Sequence, residues 1–345
     1  SCNTGARRFC SRILLMVPGR WPECSLPIRL GRRGLQKRLG RKERARQRGS
    51  MQAKLWRALL LGLLMPGLLS AGGRKPYSLR KSEVGYVVET PDGRTVFQYM
   101  TVKPEGSRLT ANSTCCFYPV MTPGGTRVVD FAPDDHPHHR GIFLAWYSML
   151  ADDETRAGDF WGWGKFAPTK GRVIRNDKVT LLRSDTFGAT LAIHNSWMAG
   201  KTRMLTEELS VVVAREGDAY VIDLHFHLVP DYDLVLGRAA FSGFNVKSRK
   251  SKGAYSDPGG RVTHAAPHYL KPETGWPSRP WYDYSFVLQD GKAAGVTVID
   301  HKDNPRTSWH NLLPIAMLNP CIVTFQDVKL PAGKPLDLRY RLLVH

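Results

Sequence analysis

The chain has 345 residues, 50 Lys+Arg against 30 Asp+Glu, and a formal net charge of +20. The charge is uneven: residues 1–50 hold 14 Lys+Arg and only Glu23 and Glu43 as acids, a net of +12. With that +12 and Lys54 and Arg57 removed, +6 remains over residues 73–345, interleaved with acids, which excludes a nucleic-acid footprint.

In chain order, residues 1–50 read as translated upstream sequence without a fold, and Met51 opens a secretory signal pattern. Lys54 and Arg57 form its basic region, Ala58 to Leu69 its apolar stretch, and Ser70-Ala71-Gly72 its small-residue cleavage site. Residues 51–72 are therefore expected to be a signal peptide, and the protein periplasmic or secreted. An apolar stretch of about 12 residues is short of the roughly 20 that cross a bilayer. No membrane span is expected in 73–345, which suits one large β domain. An exported location permits one disulfide from Cys321 to Cys115 or Cys116; three buried free thiols are the alternative.

From residue 84 the pattern is nearly all strand. Val84–Thr90 and Arg94–Val102 flank Pro91-Asp92-Gly93, a hairpin signal. Gly141–Met149 is rich in aromatic and branched residues. Strands follow at Arg172–Leu182, Thr190–Met198, Arg203–Ala214 and Ala219–Val229. Later ones are expected at Tyr284–Gln289, Ala294–Asp300, Ile315–Phe325 and Leu336–Val344. In the strand ending at Val229, Ile222, Leu224, Phe226 and Leu228 share one face, and Asp223, His225 and His227 the other. Many short strands with regular turn signals predict an all-β fold, a large antiparallel sandwich or a barrel. Asp152–Thr169 and Lys247–Pro280 read as long irregular loops.

The densest chemistry is Asp134-Asp135-His136-Pro137-His138-His139-Arg140-Gly141, which Pro137 keeps out of any helix. A loop at a strand end lets a rigid sheet aim several polar groups at one point. His136, His138 and His139 are candidate acid–base groups, and the same three imidazoles are the candidate ligands of a divalent metal. Arg140 is expected to hold a carboxylate or a developing negative charge, and Asp135 to face the substrate. A second polar run holds Asp300, His301, Asn304, Arg306 and His310, expected to line the same pocket. Its alternative is a turn whose side chains bond their own backbone. His225 and His227 read as a solvated strand face. Glu207 and Glu208 point to opposite faces, and Glu208 is taken as the inward general base. Trp161, Trp163 and Trp281 are candidate stacking surfaces for a sugar ring, with Asp283 adding a carboxylate. There is no GxSxG elbow, phosphate-binding glycine loop, HExxH or CxxC pair.

With these residues in hand, the chain resembles the secreted bacterial family called methane oxygenase PmoA-like. The matching pieces are Asp135-His-Pro-His-His-Arg-Gly141, Asp159-Phe-Trp161, Trp281-Tyr-Asp-Tyr284 and Asp300-His-Lys-Asp-Asn-Pro-Arg306. Trp309-His310, Asn319-Pro320, Ala332-Gly333 and Leu338-Arg-Tyr-Arg341 extend the match over about 84–345. Lys302 stands where proline is usual in such proteins. The resemblance implies a galactose-mutarotase-like β-sandwich and carbohydrate chemistry. The leading expectation is an exported enzyme acting on a saccharide by hydrolysis, elimination or epimerisation. A copper- or iron-dependent oxidoreductase, as the family name implies, and a non-catalytic glycan-binding protein are the alternatives.

Overall fold

Period-two alternation dictates the strands, most clearly between Arg172 and Pro230, where the chain doubles back repeatedly. The computed structural model describes residues 75–151 and 158–345. The expected upstream sequence (1–50), the signal peptide (51–72) and positions 152–157 of the Asp152–Thr169 loop lie outside the described residues.

Arg172–Ser184, Gly188–Ala199, Thr202–Glu216 and Ala219–Pro230 pair antiparallel in sequence order. Leu336–Val344, Ala293–Asp300, Trp281–Val287, Lys252–Asp257 and Gly260–Arg261 extend them into a nine-stranded sheet. A seven-stranded sheet holds, in spatial order, Ser78–Ser82, Gly85–Glu89, Thr95–Met100, Cys116–Val120, Ile142–Ala145, Gly243–Lys247 and Met317–Leu318. The expected all-β antiparallel sandwich is the fold that forms. Ile222, Leu224, Phe226 and Leu228 are buried, as their alternation predicts. Phe244 of the smaller sheet stacks on Tyr340 of the larger at 4.1 Å and meets Phe226 at 6.0 Å. Such burial contributes about 1.5–3 kcal/mol for each large apolar side chain.

Several local expectations are corrected. The stretch Gly141–Met149 is two strands, Ile142–Ala145 and Met149–Ala151, and the second joins Leu234–Leu236 and Val328–Leu330 in a three-stranded sheet. Ile315–Phe325 is not one strand. The prolines at 314 and 320 cannot sustain a ladder, and Ala316 takes a left-handed φ of 52°. A single turn at Leu313–Ile315 and the two-residue strands Met317–Leu318 and Pro320–Cys321 result. Lys247–Pro280 is less irregular than expected, because it contains the hairpin of Lys252–Asp257 and Gly260–Arg261. Cys115, Cys116 and Cys321 are buried free thiols, so the disulfide alternative is not realised. Among the described residues no helix is long and apolar enough to cross a membrane.

Two neighbouring strands of the smaller sheet position the site. Asn245 pairs with Phe143 across Gly243–Lys247 and Ile142–Ala145. Phe244 and Val246 point into the core, so Asn245, Lys247 and Phe143 share the opposite face. The histidine loop is built over that face.

Candidate functional site

Two successive turns shape the histidine loop. His136 N donates to Pro133 O at 3.1 Å and His139 N to His136 O at 3.0 Å. Ala132 N to His139 O (2.8 Å) and Gly141 N to Asp130 O (2.8 Å) close its base. Gly141 has φ +54°, and a Cβ there would collide with the Phe117 carbonyl, so glycine is required where the loop enters its strand. These turns gather three rings. The centroids lie 5.7 Å apart for His136–His138, 5.1 Å for His136–His139 and 4.5 Å for His138–His139.

A second loop covers them. Asp159 is buried and accepts from Gly162 N at 2.7 Å and Gly164 N at 2.6 Å, which fixes the turn that presents Trp163. The Trp163 ring stacks on His138 at 5.8 Å with an interplanar angle of 22°. Phe241 lies 5.6 Å from Trp163, and His310 lies 5.2 Å from Phe241. Toward solvent, Phe166 and Tyr269 are exposed, and Lys165 Nζ donates to Tyr269 Oη at 3.0 Å while lying 5.1 Å from the Trp163 ring. The site is therefore a row of imidazoles beside an aromatic wall with a cationic lip.

Burial sets the charges. It holds His136 below its usual range against the opposing Asp135 carboxylate, pushes His138 down to about 3, and pushes His139 well below. His310 is lowered to about 4, again mainly by burial. The Lys247 ammonium, wholly buried, is also held low by burial, with Asp130 and Asp135 opposing. For Asp135, burial raises the carboxyl, but the Lys250 hydrogen bond and the His136 and lysine charges outweigh it and hold it low. All four imidazoles are thus uncharged at neutral pH. His136 Nδ1 is 3.6 Å from Asp135 Oδ1, and with the side chain 32% exposed His136 is the most accessible of the loop's three rings.

Several buried polar atoms here lack a protein partner: His139 Nδ1, His310 Nδ1, Trp161 Nε1 and both side-chain polar atoms of Asn245. Buried polar groups are nearly always hydrogen-bonded, so these atoms leave room for a water or a ligand group to bond.

Other expected site residues have structural places. Arg140 is fully buried; its Nη1 donates to Trp161 O at 2.8 Å and His138 O at 3.3 Å, and its Nη2 to Phe160 O at 3.2 Å. Its Cζ lies 4.2 Å from the Phe143 ring centroid, and burial pushes its pKa down to about 10. It ties the two loops together and does not face a substrate, which corrects the expected anion-holding role. Trp161 is fully buried under Arg140 and Phe143 and offers no sugar platform. Trp281 is buried on the larger sheet, opposite Ile299. Asp283 is buried beside it and accepts from Thr297 Oγ1 at 2.9 Å and Ser285 Oγ at 2.6 Å, with His345 Nε2 at 2.9 Å. The expected pocket between Trp161, Trp163 and Trp281 therefore reduces to Trp163.

Glu208 faces outward, its side chain 52% exposed and 3.9 Å from His194 Nδ1. Glu207 is the inward residue. It accepts from Asn195 Nδ2 at 2.7 Å and Trp197 Nε1 at 2.8 Å in the core, and burial raises it to about 7. Asp300 accepts from Asn304 Nδ2 (2.6 Å) and Thr307 Oγ1 (2.7 Å), and Asn304 bonds Arg339 N and O at 2.8 Å. These residues close their own turn onto the last strand. His301 Nδ1 accepts from Asp303 N at 3.2 Å, within that same turn. Of the second polar run, His310 reaches the aromatic wall of the site, through Phe241. Arg306 lies over Phe325 at 4.2 Å, in a separate cleft.

The sequence reading missed Phe241, Asn245, Lys247, Lys165 and Tyr269. The alternation Phe244/Val246 against Asn245/Lys247 was the available signal for two of them. As a metal site the loop does not fit. Among the described residues no three His, Cys, Asp or Glu side chains are arranged to hold an ion.

The chain belongs to a family of unknown function, DUF6807, whose profile matches residues 86–345. Comparison with curated proteins gives no match. Among solved structures it is similar to the GH36 α-galactosidase AgaA of Geobacillus stearothermophilus, at 11% identity and TM-score 0.37, over 79% of this chain and 39% of that one. It is also similar to a galactose mutarotase related enzyme of Lactobacillus acidophilus, at 9% identity and TM-score 0.32, over 78% and 97%. A protein of Synechocystis sp. PCC 6803 shares 11% identity at TM-score 0.36, over 78% and 95%. The chain thus spans about two fifths of the length of the α-galactosidase.

Proposed function

We propose that the protein is an exported carbohydrate-active enzyme that moves a proton on a sugar held over the His136–His139 loop. The observation that carries this reading is the row of uncharged imidazoles against Trp163, with orphaned polar atoms beneath it. A sugar ring has an apolar face that suits an indole and hydroxyls that suit neutral nitrogens and an amide. Densely packed titratable groups favour catalysis over binding alone. The signal pattern at 51–72 supports export, and the modest charge of 73–345 speaks against nucleic acid.

Within this reading His136 is the proton acceptor, because it is the accessible ring and Asp135 stands beside Nδ1 to stabilise an imidazolium. His138 and Trp163 hold the ring, and His139 and Arg140 position the loop. Hydrolysis ordinarily needs two carboxylates flanking the bond, about 5–9.5 Å apart. Asp159 is committed to two backbone N–H groups and Asp135 to Lys250, so among the described residues the loop offers no free pair. Epimerisation or elimination is the reaction type that fits. The copper or iron reading of the resembled family has no three-ligand cage behind it among the described residues.

The test is a panel of neutral and acidic oligosaccharides incubated in D2O. Deuterium uptake and unsaturated products are followed by NMR for wild type and His136→Ala. A loss of at least about 100-fold in the variant is expected. Unchanged turnover would remove His136 from the role, and binding without product at any protein concentration would make the protein a glycan binder.

A further inference from the structure

A separate cleft of about 380 Å³ is lined by Arg238, Glu273, Trp276, Arg306, Ser308 and Phe325, among others. Two arginines of that lining are held by two consecutive residues. Arg238 Nε donates to Thr324 O at 3.1 Å, and the Arg306 Cζ lies 4.2 Å from the centroid of the next ring, Phe325. Arg306 makes no ion pair, and neither does the Arg238 side chain, among the described residues. Glu273, the carboxylate in the lining, sits on the turn Pro272–Thr274 and pairs with neither.

Thr324 and Phe325 hold the two side chains, and the nearby Asp327 carboxylate accepts from the Arg238 backbone N at 2.6 Å, so both guanidinium charges are left for a ligand. An arginine laid on an aromatic face has its fork of N–H groups in a fixed plane, ready for a two-oxygen anion. The cleft also adjoins the first site along the chain. Arg238 is three residues from Phe241 and Arg306 four from His310, so these Cα atoms are at most about 10 and 14 Å apart. We infer that this cleft is an anion subsite of the same saccharide site, in which Arg238 and Arg306 grip a carboxylate or sulfate on a neighbouring sugar unit. The substrate class is then an acidic oligosaccharide. This deepens the reading of the histidine loop and rests on it.

The test uses the full chain and calorimetric titration with tetragalacturonate, a sulfated galactan tetrasaccharide and neutral cellotetraose, at low and high salt. One acidic probe is expected to bind at least about tenfold tighter than the neutral one, the size of a charge-assisted bidentate pair. The stronger of the two acidic arms identifies carboxylate or sulfate. Arg306→Ala and Arg238→Ala should each abolish that preference and leave cellotetraose binding unchanged; Arg306→Lys should restore part of it. Melting curves identify any variant that fails to fold, and Arg306→Lys then carries the test. Equal binding of acidic and neutral probes, or a preference that survives both alanine variants, would overturn the subsite. Neutral binding that is lost in His138→Ala while no acidic preference exists would sink the subsite and keep the saccharide reading. Galacturonate monomer binding that is lost in Arg306→Ala, with no response to His138→Ala from any probe, would keep the subsite and sink the reading.

Discussion

Two groups of histidines in this chain differ in what their nitrogens meet. On the outer face of the larger sheet, His225 Nε2 and His227 Nδ1 share Asp337 Oδ1 at 2.7 and 3.0 Å, each about one third exposed. In the His136–His139 loop the rings pack on one another and on Trp163, and His139 Nδ1 is buried with no protein partner. Histidine density alone would rate the two alike. Unmet hydrogen-bonding capacity under cover separates them, because only the loop leaves work for a ligand.

The sharpest way to break that comparison is at Arg140, a buried group whose two Nη atoms donate to three carbonyls. Arg140→Met leaves the carbonyls of His138, Phe160 and Trp161 unpaired. The expected loss of stability is about 3–5 kcal/mol by denaturant unfolding. A loss below about 1 kcal/mol would mean that the loop is held otherwise, and that the anion-binding role for Arg140 should be reopened.

Glu207 gives the next effect. Burial raises its pKa to about 7, above the ordinary 4.5, so the folded state binds the proton more tightly. Its contribution is therefore full below pH 4.5 and is lost as pH rises toward 7. The loss is about 3 kcal/mol. Glu207→Gln should flatten the fall in melting temperature between pH 5 and 8, whatever its effect at pH 5. An unchanged slope would show that the carboxylate is already solvated or paired.

The smallest effect is expected on the sheet face. Asp337→Asn should change stability by less than about 1 kcal/mol, the usual worth of exposed pairs. It should leave oligosaccharide binding untouched. A tenfold change in binding would place the strand pair in the site after all.

Much of this was legible in the sequence, and the failures have physical causes. The alternation through Val221–Val229 located one face of the core correctly, because a half-buried strand has only one way to sort its side chains. The same parity argument was available at the glutamates. Leu205, Leu209, Val211 and Val213 are inward, so Glu207 shares their face and Glu208 cannot. The histidine loop stands out as a candidate from residue types alone. Trp161 and Trp163 look equivalent in Phe160-Trp-Gly-Trp-Gly164, yet Arg140 takes the carbonyl of the first and pins it inside, a tertiary contact no local pattern announces. Likewise Asp300 and Asn304 carry the residue types of a site, and the strand partner that recruits them into a turn, Arg339, lies far along the chain. Asn245 and Lys247 were hidden by the glycines and prolines that follow, which made a short buried strand read as the edge of a loop.

On the proposed function the loop histidines bind a saccharide and the strand histidines do not. Ring-proton NMR of all the histidines tests it directly, with a tetrasaccharide added stepwise at pH 7. The expected result is movement of the His136, His138 and Trp163 resonances, with those of His225 and His227 fixed. Equal movement in both groups, or movement in the strand pair alone, would contradict it.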